Sequence, residues 1–187
     1  MAMLLSPQAE RNWEEVCSVL EEVLEDQSHR QLFALEIGSG TGQHVIRFAQ
    51  KMPFVTWQPS DIQEEARQSI KAYIDATNMT TVLPPVHLDA SEPWEKWAGL
   101  TRGSCDVIIA INLLQYSSFK TAQVYAINGT ITPQCNELLD EELRKVNPEW
   151  GLPDVDVLRQ LAYGNGMRME RMLEMEDCYK SLIFRKI

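Results

Sequence analysis

Three glycines at alternate positions, Gly38, Gly40 and Gly42, are the residues of this sequence best suited to contact a ligand. They follow a short apolar run and precede a helical pattern, which places them in the turn between a strand and a helix. Glycine there lets the backbone approach a ligand closely, and N–H groups at the start of the helix can face it. A dinucleotide fingerprint would need a further glycine where this sequence has Gln43, which disfavours a nicotinamide or flavin site. A tight turn without a ligand is the alternative.

Polar residues end three further predicted strands. Asp61 comes nineteen residues after Gly42, where a carboxylate can accept both ribose hydroxyls of an adenosine group. Capping of the next helix is the alternative role for Asp61. Asp89 ends another strand and could accept a hydrogen bond from an adenine amino group, and Asn112 closes a third and is expected to contact substrate or cofactor. Because ligands bind at the carboxyl ends of parallel strands, all three are predicted at one sheet edge.

Other chemistries find little support in the sequence. It has no Ser-His-Asp arrangement, no carboxylate pair at catalytic spacing and no Walker lysine, so neither hydrolysis nor phosphoryl transfer is indicated and no catalytic residue is assigned. The four cysteines are scattered, without a Cys-x-x-Cys pair or a histidine at metal-ligand spacing. We therefore expect reduced buried thiols and no metal site.

The elements that position these residues alternate between strand and helix, which predicts an α/β fold with a mostly parallel sheet. An amphipathic helix begins at Ser6-Pro7, an N-cap followed by proline. Strands are predicted over residues 32–37, 54–57, 82–88 and 106–114, and helices over residues 43–51 and 62–74. The last third of the chain predicts helices over residues 133–146 and 153–162, then an antiparallel hairpin of residues 167–175 and 181–186.

The length and charge of the chain limit the number of domains and the classes of binding partner. With 187 residues and 44% hydrophobic content, the chain is expected to form one domain, residues 1–187. A net charge of −10 argues against long contacts with nucleic acid or anionic lipid, which need a basic face. No apolar run approaches the length of a membrane helix, so we expect a soluble protein of the cytoplasm or nucleus. The oligomeric state is not predicted.

The glycine turn and the polar strand ends together resemble the class I S-adenosylmethionine-dependent methyltransferases, which have a Rossmann-like sheet. The resemblance implies that S-adenosyl-L-methionine is the cofactor and that residues 31–112 form the half that binds it, with residues 125–187 as the C-terminal half. The residues it implies for the cofactor site are Glu36, Gly38, Ser39, Gly40, Gly42, Asp61, Asp89 and Asn112.

Finer motifs are similar to one branch, the methyltransferase-like protein 26 family, over nearly the whole chain. The similarity implies that Arg11-Asn12 folds near the cofactor site, but it implies no particular methyl acceptor. Gln115 stands where this family usually has histidine, and Pro153 where it usually has arginine. The motifs are Ala-Glu-Arg-Asn at residues 9–12, Gly-Ser-Gly-Thr-Gly-Gln-His at 38–44, Trp-Gln-Pro-Ser-Asp at 57–61, Tyr-Ala-Ile-Asn-Gly at 125–129, Asn-Pro-Glu-Trp-Gly-Leu at 147–152 and Leu-Ile-Phe-Arg at 182–185.

The segment between Asn112 and Tyr125 is shorter than the resemblance to this family implies. The resemblance implies a helix and a fifth strand between Asn112 and Tyr125, which require roughly twenty residues. Only twelve residues lie between them. We infer an internal deletion, such as a splice variant would produce, and predict that residues 113–124 form a loop or short helix, that the fifth strand is missing and that the sheet has at most six regular strands.

Two functions from different classes follow. The chain either transfers a methyl group from S-adenosyl-L-methionine to a small molecule or protein, or it is a catalytically impaired isoform or interaction module that retains the fold. The intact glycine turn favours the first function, and the short interval favours the second. A nucleotide-linked dehydrogenase is disfavoured because residue 43 is not glycine.

Overall fold

A computed structural model describes residues 2–113, 126–127, 130–131, 134–152 and 154–187. The chain divides into two compact units, Met1–Ile111 and Asn112–Ile187.

The first unit contains a parallel sheet of three strands, which confirms the predicted mostly parallel α/β fold. The strands are β1 (Leu32–Ile37), β2 (Val55–Ser60) and β3 (Val107–Ala110), in the order β2-β1-β3. β1 lies in the middle, pairs with β2 along its whole length and pairs with β3 over residues 34–37. The bounds of β1 match the prediction, whereas β2 continues three residues beyond it, and β3 ends four residues before it.

The predicted strand over residues 82–88 is not a regular strand. This segment runs parallel to β2 but pairs with it only at two isolated bridges, Trp57 with Val82 and Ser60 with Val86. The physical reason is Pro84-Pro85, since two consecutive prolines have no N–H groups to donate to a strand ladder. The segment nevertheless follows the outer edge of β2, so the chain still leaves it at the carboxyl end of the sheet.

Three helices accompany the sheet, and all three were predicted from the spacing of apolar residues. They are α1 (Pro7–Leu24), α2 (Gln43–Lys51) and α3 (Glu64–Thr77). The hydroxyl of Ser6 accepts the Ala9 N–H at 3.3 Å, which confirms the predicted N-cap of α1.

The core of this unit lies between α1, α2 and one face of the sheet. Trp57 of β2 and Phe48 of α2 are fully buried there, with ring centroids 5.5 Å apart. Burial of aromatic or aliphatic side chains of this size contributes about 1.5–3 kcal/mol each to folding. The hydrophobic run of β3 contributes less than its sequence indicates, because Ile109 is buried in the core while Ile108, on the opposite face, is 58% exposed.

The described residues of the second unit form two antiparallel strand pairs and two α-helices. The elements are β4 (Ala126–Ile127), β5 (Thr130–Ile131), α4 (Gln134–Val146), α5 (Val155–Gly164), β6 (Met167–Glu174) and β7 (Lys180–Lys186). The predicted hairpin is confirmed, since its two strands, β6 and β7, pair along their whole length with one irregularity between Met169 and Arg171. A short pair, β4 with β5, was not predicted.

Asp140 of α4 holds the segment between the two helices of this unit. Its buried carboxylate accepts the Leu152 N–H at 2.6 Å through Oδ1 and the Arg144 Nε at 2.6 Å through Oδ2. Gly151, with φ +152°, lies against this pair, because a Cβ there would come within 2.7 Å of Asp140 Oδ1. The Asn-Pro-Glu-Trp-Gly-Leu motif is therefore fixed to α4 by a carboxylate and a glycine.

The expectation of four reduced thiols is wrong for two of the cysteines. Cys135 near the start of α4 and Cys178 in the turn between β6 and β7 form a disulfide, with their Cα atoms 6.7 Å apart. Forty-three positions separate them, so only the tertiary structure brings them together. Cys17 is a buried free thiol and Cys105 a partly buried one.

Some predictions concern residues that the structure does not describe. The loop or helix predicted over residues 113–124, the missing fifth strand and the replacements at Gln115 and Pro153 lie outside the described residues, apart from Leu113. Within the described ranges, no helix has the length and apolar character needed to cross a membrane.

Candidate functional site

The turn between β1 and α2 adopts a conformation that glycine accommodates at little cost. Gly38, Gly40 and Gly42 all have positive φ angles, +70°, +55° and +92°. A side chain with a Cβ is strained in this left-handed region. The alternate glycines of the sequence therefore correspond to a backbone that reverses direction tightly at the end of β1, as predicted.

Two of these glycines differ in the space around them. A Cβ built on Gly40 would meet no atom within 4 Å. A Cβ on Gly42 would instead lie 3.0 Å from both the Cα and Cγ1 atoms of Ile70 in α3. Close packing is thus the role of Gly42, and Gly40 faces open space that a ligand could enter.

Asp61 directly follows β2 and connects the glycine turn with the start of α3. Its buried carboxylate accepts the Gly40 N–H at Oδ2 and the Gln63 N–H at Oδ1, both at 2.9 Å. The carboxylate therefore fixes the turn as well as the residue that precedes α3. Each carboxylate oxygen can accept more than one hydrogen bond, so these contacts leave acceptor capacity for hydroxyl groups of a ligand.

Two serine residues join the ends of β1 and β2 at the same edge through backbone and side-chain hydrogen bonds. The Ser39 N–H donates to the Ser60 carbonyl at 2.8 Å, and the Ser60 hydroxyl donates to the Glu36 carbonyl at 2.7 Å. Ser60 is fully buried and Ser39 nearly so. These bonds hold the glycine turn at a fixed position relative to both strands.

Glu36 carries a buried carboxyl group whose hydrogen-bonding capacity is incompletely used. The residue is 2% exposed, and its Oε2 atom has no hydrogen-bond partner. Burial raises the pKa of Glu36 to about 7, the Ser39 side chain opposes that rise, and the nearby Asp61 charge adds to it. A buried acceptor without a donor is costly to folding, which makes it a good partner for a ligand N–H group.

The structure places Asp89 at the expected edge but does not pair it with the glycine turn. The Asp61 N–H donates to the Val86 carbonyl at 3.1 Å, so Asp89 lies three residues beyond the point where this segment leaves the sheet edge. Its Oδ1 atom accepts both the N–H and the hydroxyl of Ser91, and these bonds lower the pKa of Asp89. Asp89 does not end a regular strand, contrary to the prediction, and its described bonds form a local turn.

Asn112 does not close a strand either. β3 ends at Ala110, and Asn112 follows with a φ of +54°, a left-handed conformation that asparagine tolerates better than most residues. It begins the second compact unit. Its assignment to the cofactor site stays a prediction.

Sequence reasoning missed the polar group at the start of α2. Gln43 is buried, its Oε1 accepts the Ser6 N–H at 2.6 Å and the Thr41 hydroxyl at 2.9 Å, and its Nε2 donates to Glu10 at 2.7 Å. Arg47, one turn further along α2, donates to both oxygens of Glu10. The signal in the sequence was a pair of polar residues, Gln43-His44, at the first positions of the helix that follows the glycine turn.

His44 ties α1 to the same helix end. Its Nε2 lies 2.9 Å from Asn12 Oδ1, and its ring stacks on Phe48 with centroids 5.6 Å apart. Burial lowers the pKa of His44 to about 4, although Glu10 opposes that shift. The imidazole is thus neutral near pH 7. Asn12 contacts α2 two residues after Gly42, and the implied proximity of the Arg11-Asn12 segment to the cofactor site stays a prediction.

The arrangement suits recognition of a ligand that presents both N–H and hydroxyl donors. Acceptors lie at Glu36 and Asp61 on either side of a turn whose backbone is open at Gly40. Within the residues that the structure describes, no group of three or more His, Cys, Asp or Glu side chains could hold a metal ion.

A family model of proteins of unknown function, DUF938, matches residues 3–125 and 123–186. The chain belongs to the DUF938 family. The two matched stretches together span nearly the whole DUF938 chain and overlap at residues 123–125.

Several solved structures with a fold similar to that of this DUF938 chain are methyltransferases. The mitomycin 7-O-methyltransferase MmcR superposes with a TM-score of 0.65 and 12% identity over 97% of this chain and 58% of its own. Magnesium protoporphyrin IX methyltransferase (ChlM) from Synechocystis PCC 6803, solved with bound SAH, gives 0.63 and 14% over 98% and 88%. The DszA carbon methyltransferase gives 0.51 and 17% over 62% and 31%.

These likenesses establish the class I methyltransferase fold for the DUF938 chain. The chain spans less than two thirds of MmcR and about a third of DszA.

Proposed function

We propose that this DUF938 chain is an S-adenosyl-L-methionine-dependent methyltransferase. The observation that carries the proposal is the Glu36 carboxyl group, buried at the end of β1 with an unpartnered oxygen, directly before the open glycine turn. The methyltransferase fold of its structural neighbours, one of them solved with SAH, supports the same cofactor.

The residues present fit that cofactor. Glu36 offers an acceptor for the amino group of its methionine portion, and Asp61 offers acceptors for the ribose hydroxyls. A negative Glu36 is favoured when a cation is nearby, so binding should lower its raised pKa. Asp89 and Asn112 are proposed to contact the adenine amino group and the cofactor or acceptor. The remaining proposed contacts come from the turn residues Gly38, Ser39, Gly40 and Gly42.

The bound cofactor would supply a methyl group on an already activated sulfonium. The contribution of this chain is therefore to hold the reactants in line and at short distance, and orientation of this kind can account for much of a rate enhancement. No side chain is assigned as a general base. The acceptor is proposed to be a small molecule or a protein, since the net charge of −10 disfavours nucleic acid.

Calorimetric titration tests the proposal. The chain should bind S-adenosyl-L-methionine and S-adenosylhomocysteine saturably, with no saturable heat for NAD. Gly40→Val should abolish binding, because it places a branched side chain at φ +55° in the open space beside the turn. Absence of binding by the parent chain, or an unchanged dissociation constant in Gly40→Val, would contradict the assignment.

A second candidate function follows from the division of the family match. The chain is proposed to belong to the methyltransferase-like protein 26 branch and to lack an internal segment between Asn112 and Tyr125, which makes it a catalytically impaired isoform or an interaction module. Two observations support this: the family match falls into two stretches that meet at residues 123–125, and only twelve residues lie between Asn112 and Tyr125.

Comparison with a relative that retains the segment separates the two functions. An impaired isoform should bind S-adenosylhomocysteine yet release none from S-adenosyl-L-methionine under conditions in which the longer relative turns over, and it should melt at a lower temperature. Equal turnover and an equal melting temperature would reject the second candidate. The prediction that residues 1–187 form one methyltransferase-like domain would be tested in the same melts, since a single domain gives one cooperative transition.

A further inference from the structure

Residues 2–6, here called the leading segment, are held against the first unit mainly through polar contacts. The Leu4 N–H donates to the Ser69 hydroxyl at 2.8 Å, and the Tyr73 hydroxyl donates to the Leu4 carbonyl at 2.9 Å. Both partners are side chains of α3. Leu5 is 74% exposed and so buries little apolar surface. A segment held by few buried apolar contacts opens more easily than a core element does.

Gln43 is the contact that joins the leading segment to the glycine turn. Its Oε1 atom accepts two hydrogen bonds at once, from the Ser6 N–H at 2.6 Å and from the Thr41 hydroxyl at 2.9 Å. Thr41 is itself the residue between Gly40 and Gly42. Gln43 is only 4% exposed, so water cannot readily replace either bond.

A second chain of hydrogen bonds connects the leading segment with Thr41, through Ser69. The Ser69 hydroxyl, which accepts the Leu4 N–H, donates to the Thr41 carbonyl at 2.8 Å. On its other side the glycine turn is hydrogen-bonded to Asp61, the residue proposed to bind the ribose, because the Gly40 N–H donates to the Asp61 carboxylate. Hydrogen bonds therefore connect the glycine turn with Asp61 on one side and, through Gln43 and Ser69, with the leading segment on the other.

The helix that follows the leading segment is anchored independently. Glu10 binds Arg47 through both carboxylate oxygens, and the Arg47 guanidinium lies 4.5 Å from the centre of the Trp13 ring. Cys17 and Leu24 of α1 are buried in the core. Opening would therefore be confined to residues that precede α1.

We propose that Gln43 is a positioning residue that couples cofactor binding at the glycine turn to closure of the leading segment. The inference rests on the proposed function, whose site it regulates. A ligand that fixes residues 40–42 favours the state in which Thr41 is held against Gln43 and Ser69, and that state supplies acceptors to the Ser6 and Leu4 N–H groups. Because such coupling is reciprocal, loss of the Gln43 contacts must weaken cofactor binding.

Hydrogen–deuterium exchange of a peptide covering residues 2–6, with and without saturating S-adenosylhomocysteine, tests the coupling. In the parent chain the ligand should slow exchange at least fivefold. In Gln43→Ala exchange should be fast in both conditions, and the dissociation constant should rise at least threefold. Gln68→Ala, the same change on the exposed side of α3, is the matched control and should behave as the parent does.

The outcomes separate this inference from the proposed function. Saturable binding without any protection of residues 2–6 would overturn the coupling and leave the proposed function standing, whereas absence of binding by the parent chain would overturn both. If Gln43→Ala does not fold, Tyr73→Phe removes only the hydroxyl that donates to the Leu4 carbonyl. It should reduce the protection of residues 2–6 and weaken binding, and parent-like behaviour of this variant would overturn the proposal.

Discussion

Ile70 of α3 packs directly on Gly42, the residue that precedes α2, because a Cβ on that glycine would lie 3.0 Å from the backbone of Ile70. This contact sets how closely the two helices approach beside the sheet. It explains why the third glycine of the turn is a packing residue, whereas a Cβ on the second one, Gly40, would meet no atom within 4 Å.

The two glycines should therefore respond differently to alanine. Gly42→Ala combines a left-handed backbone with overpacking against α3, so the free energy of unfolding should fall by about 2–5 kcal/mol. Gly40→Ala meets no neighbour, so its cost should be about 1–2 kcal/mol from backbone strain alone. Urea unfolding measures both. Equal losses would show that packing against Ile70 does not restrict Gly42.

The affinity for S-adenosylhomocysteine should depend on Gly40. Gly40→Ala adds a methyl group to the open space beside the turn and should weaken S-adenosylhomocysteine binding at least tenfold while the protein remains folded. Titration of the folded variant checks this. Parent-like affinity would place the ligand elsewhere.

Asp61→Ala should affect stability as well as binding. It removes two charge-assisted acceptors of backbone N–H groups, each worth about 1.5–3 kcal/mol, and it removes the proposed ribose contacts. We expect a lower melting temperature without ligand and an affinity for S-adenosylhomocysteine reduced at least tenfold. If the affinity of the folded variant changed less than threefold, Asp61 would serve only to fix the turn and the start of α3.

Glu36 and His44 should produce opposite pH dependences of stability. The pKa of Glu36 is raised to about 7 in the folded protein. The contribution of the protonated Glu36 to the free energy of unfolding is therefore fully present below pH 4.5 and is lost as the pH rises to about 7. The pKa of His44 is lowered to about 4, so its contribution is present above pH 6.5 and is lost as the pH falls towards 4. Between pH 4.5 and 6.5 the two slopes oppose each other.

Single variants should reveal each slope. In Glu36→Gln the free energy of unfolding should rise with pH across this range, and in His44→Gln it should fall, each at up to about 1.4 kcal/mol per pH unit. Urea unfolding at half-unit pH intervals measures this. A slope that is unchanged in both variants would mean that neither group titrates as its burial implies.

The disulfide should stabilise the second unit only under oxidising conditions. Cys135→Ser removes a cross-link between residues 43 positions apart, and links of this kind typically contribute about 2–4 kcal/mol. The oxidised parent should lose a similar amount on reduction with dithiothreitol, whereas Cys135→Ser should not respond. Cys105→Ser is the matched control, since that thiol is free. A parent chain indifferent to reductant would exclude the cross-link in solution.

The sequence alone determined the helices, the central strand and the glycine turn. These depend on local causes: the N-cap Ser6, the apolar spacing of α1 to α3, and glycines at positions that need positive φ. It also predicted that Asp61 lies at the same sheet edge as the glycine turn, because the ends of parallel strands meet at one edge whatever their detailed packing, while the role of Asp61 in cofactor binding stays a prediction. The strand predicted over residues 82–88 is wrong, because Pro84 and Pro85 have no N–H groups to donate to a regular strand ladder.

Only the tertiary structure decided which residues meet across long separations. The Cys135–Cys178 bond, the Asp140 contact with Leu152, and the contacts of Gln43 with Ser6 and Glu10 join positions that no periodicity relates. The raised pKa of Glu36 likewise depends on burial and on the nearby Asp61 charge. Periodicity reports which face of an element is apolar, whereas hydrogen-bond partners and electrostatic surroundings are fixed only once the elements have packed.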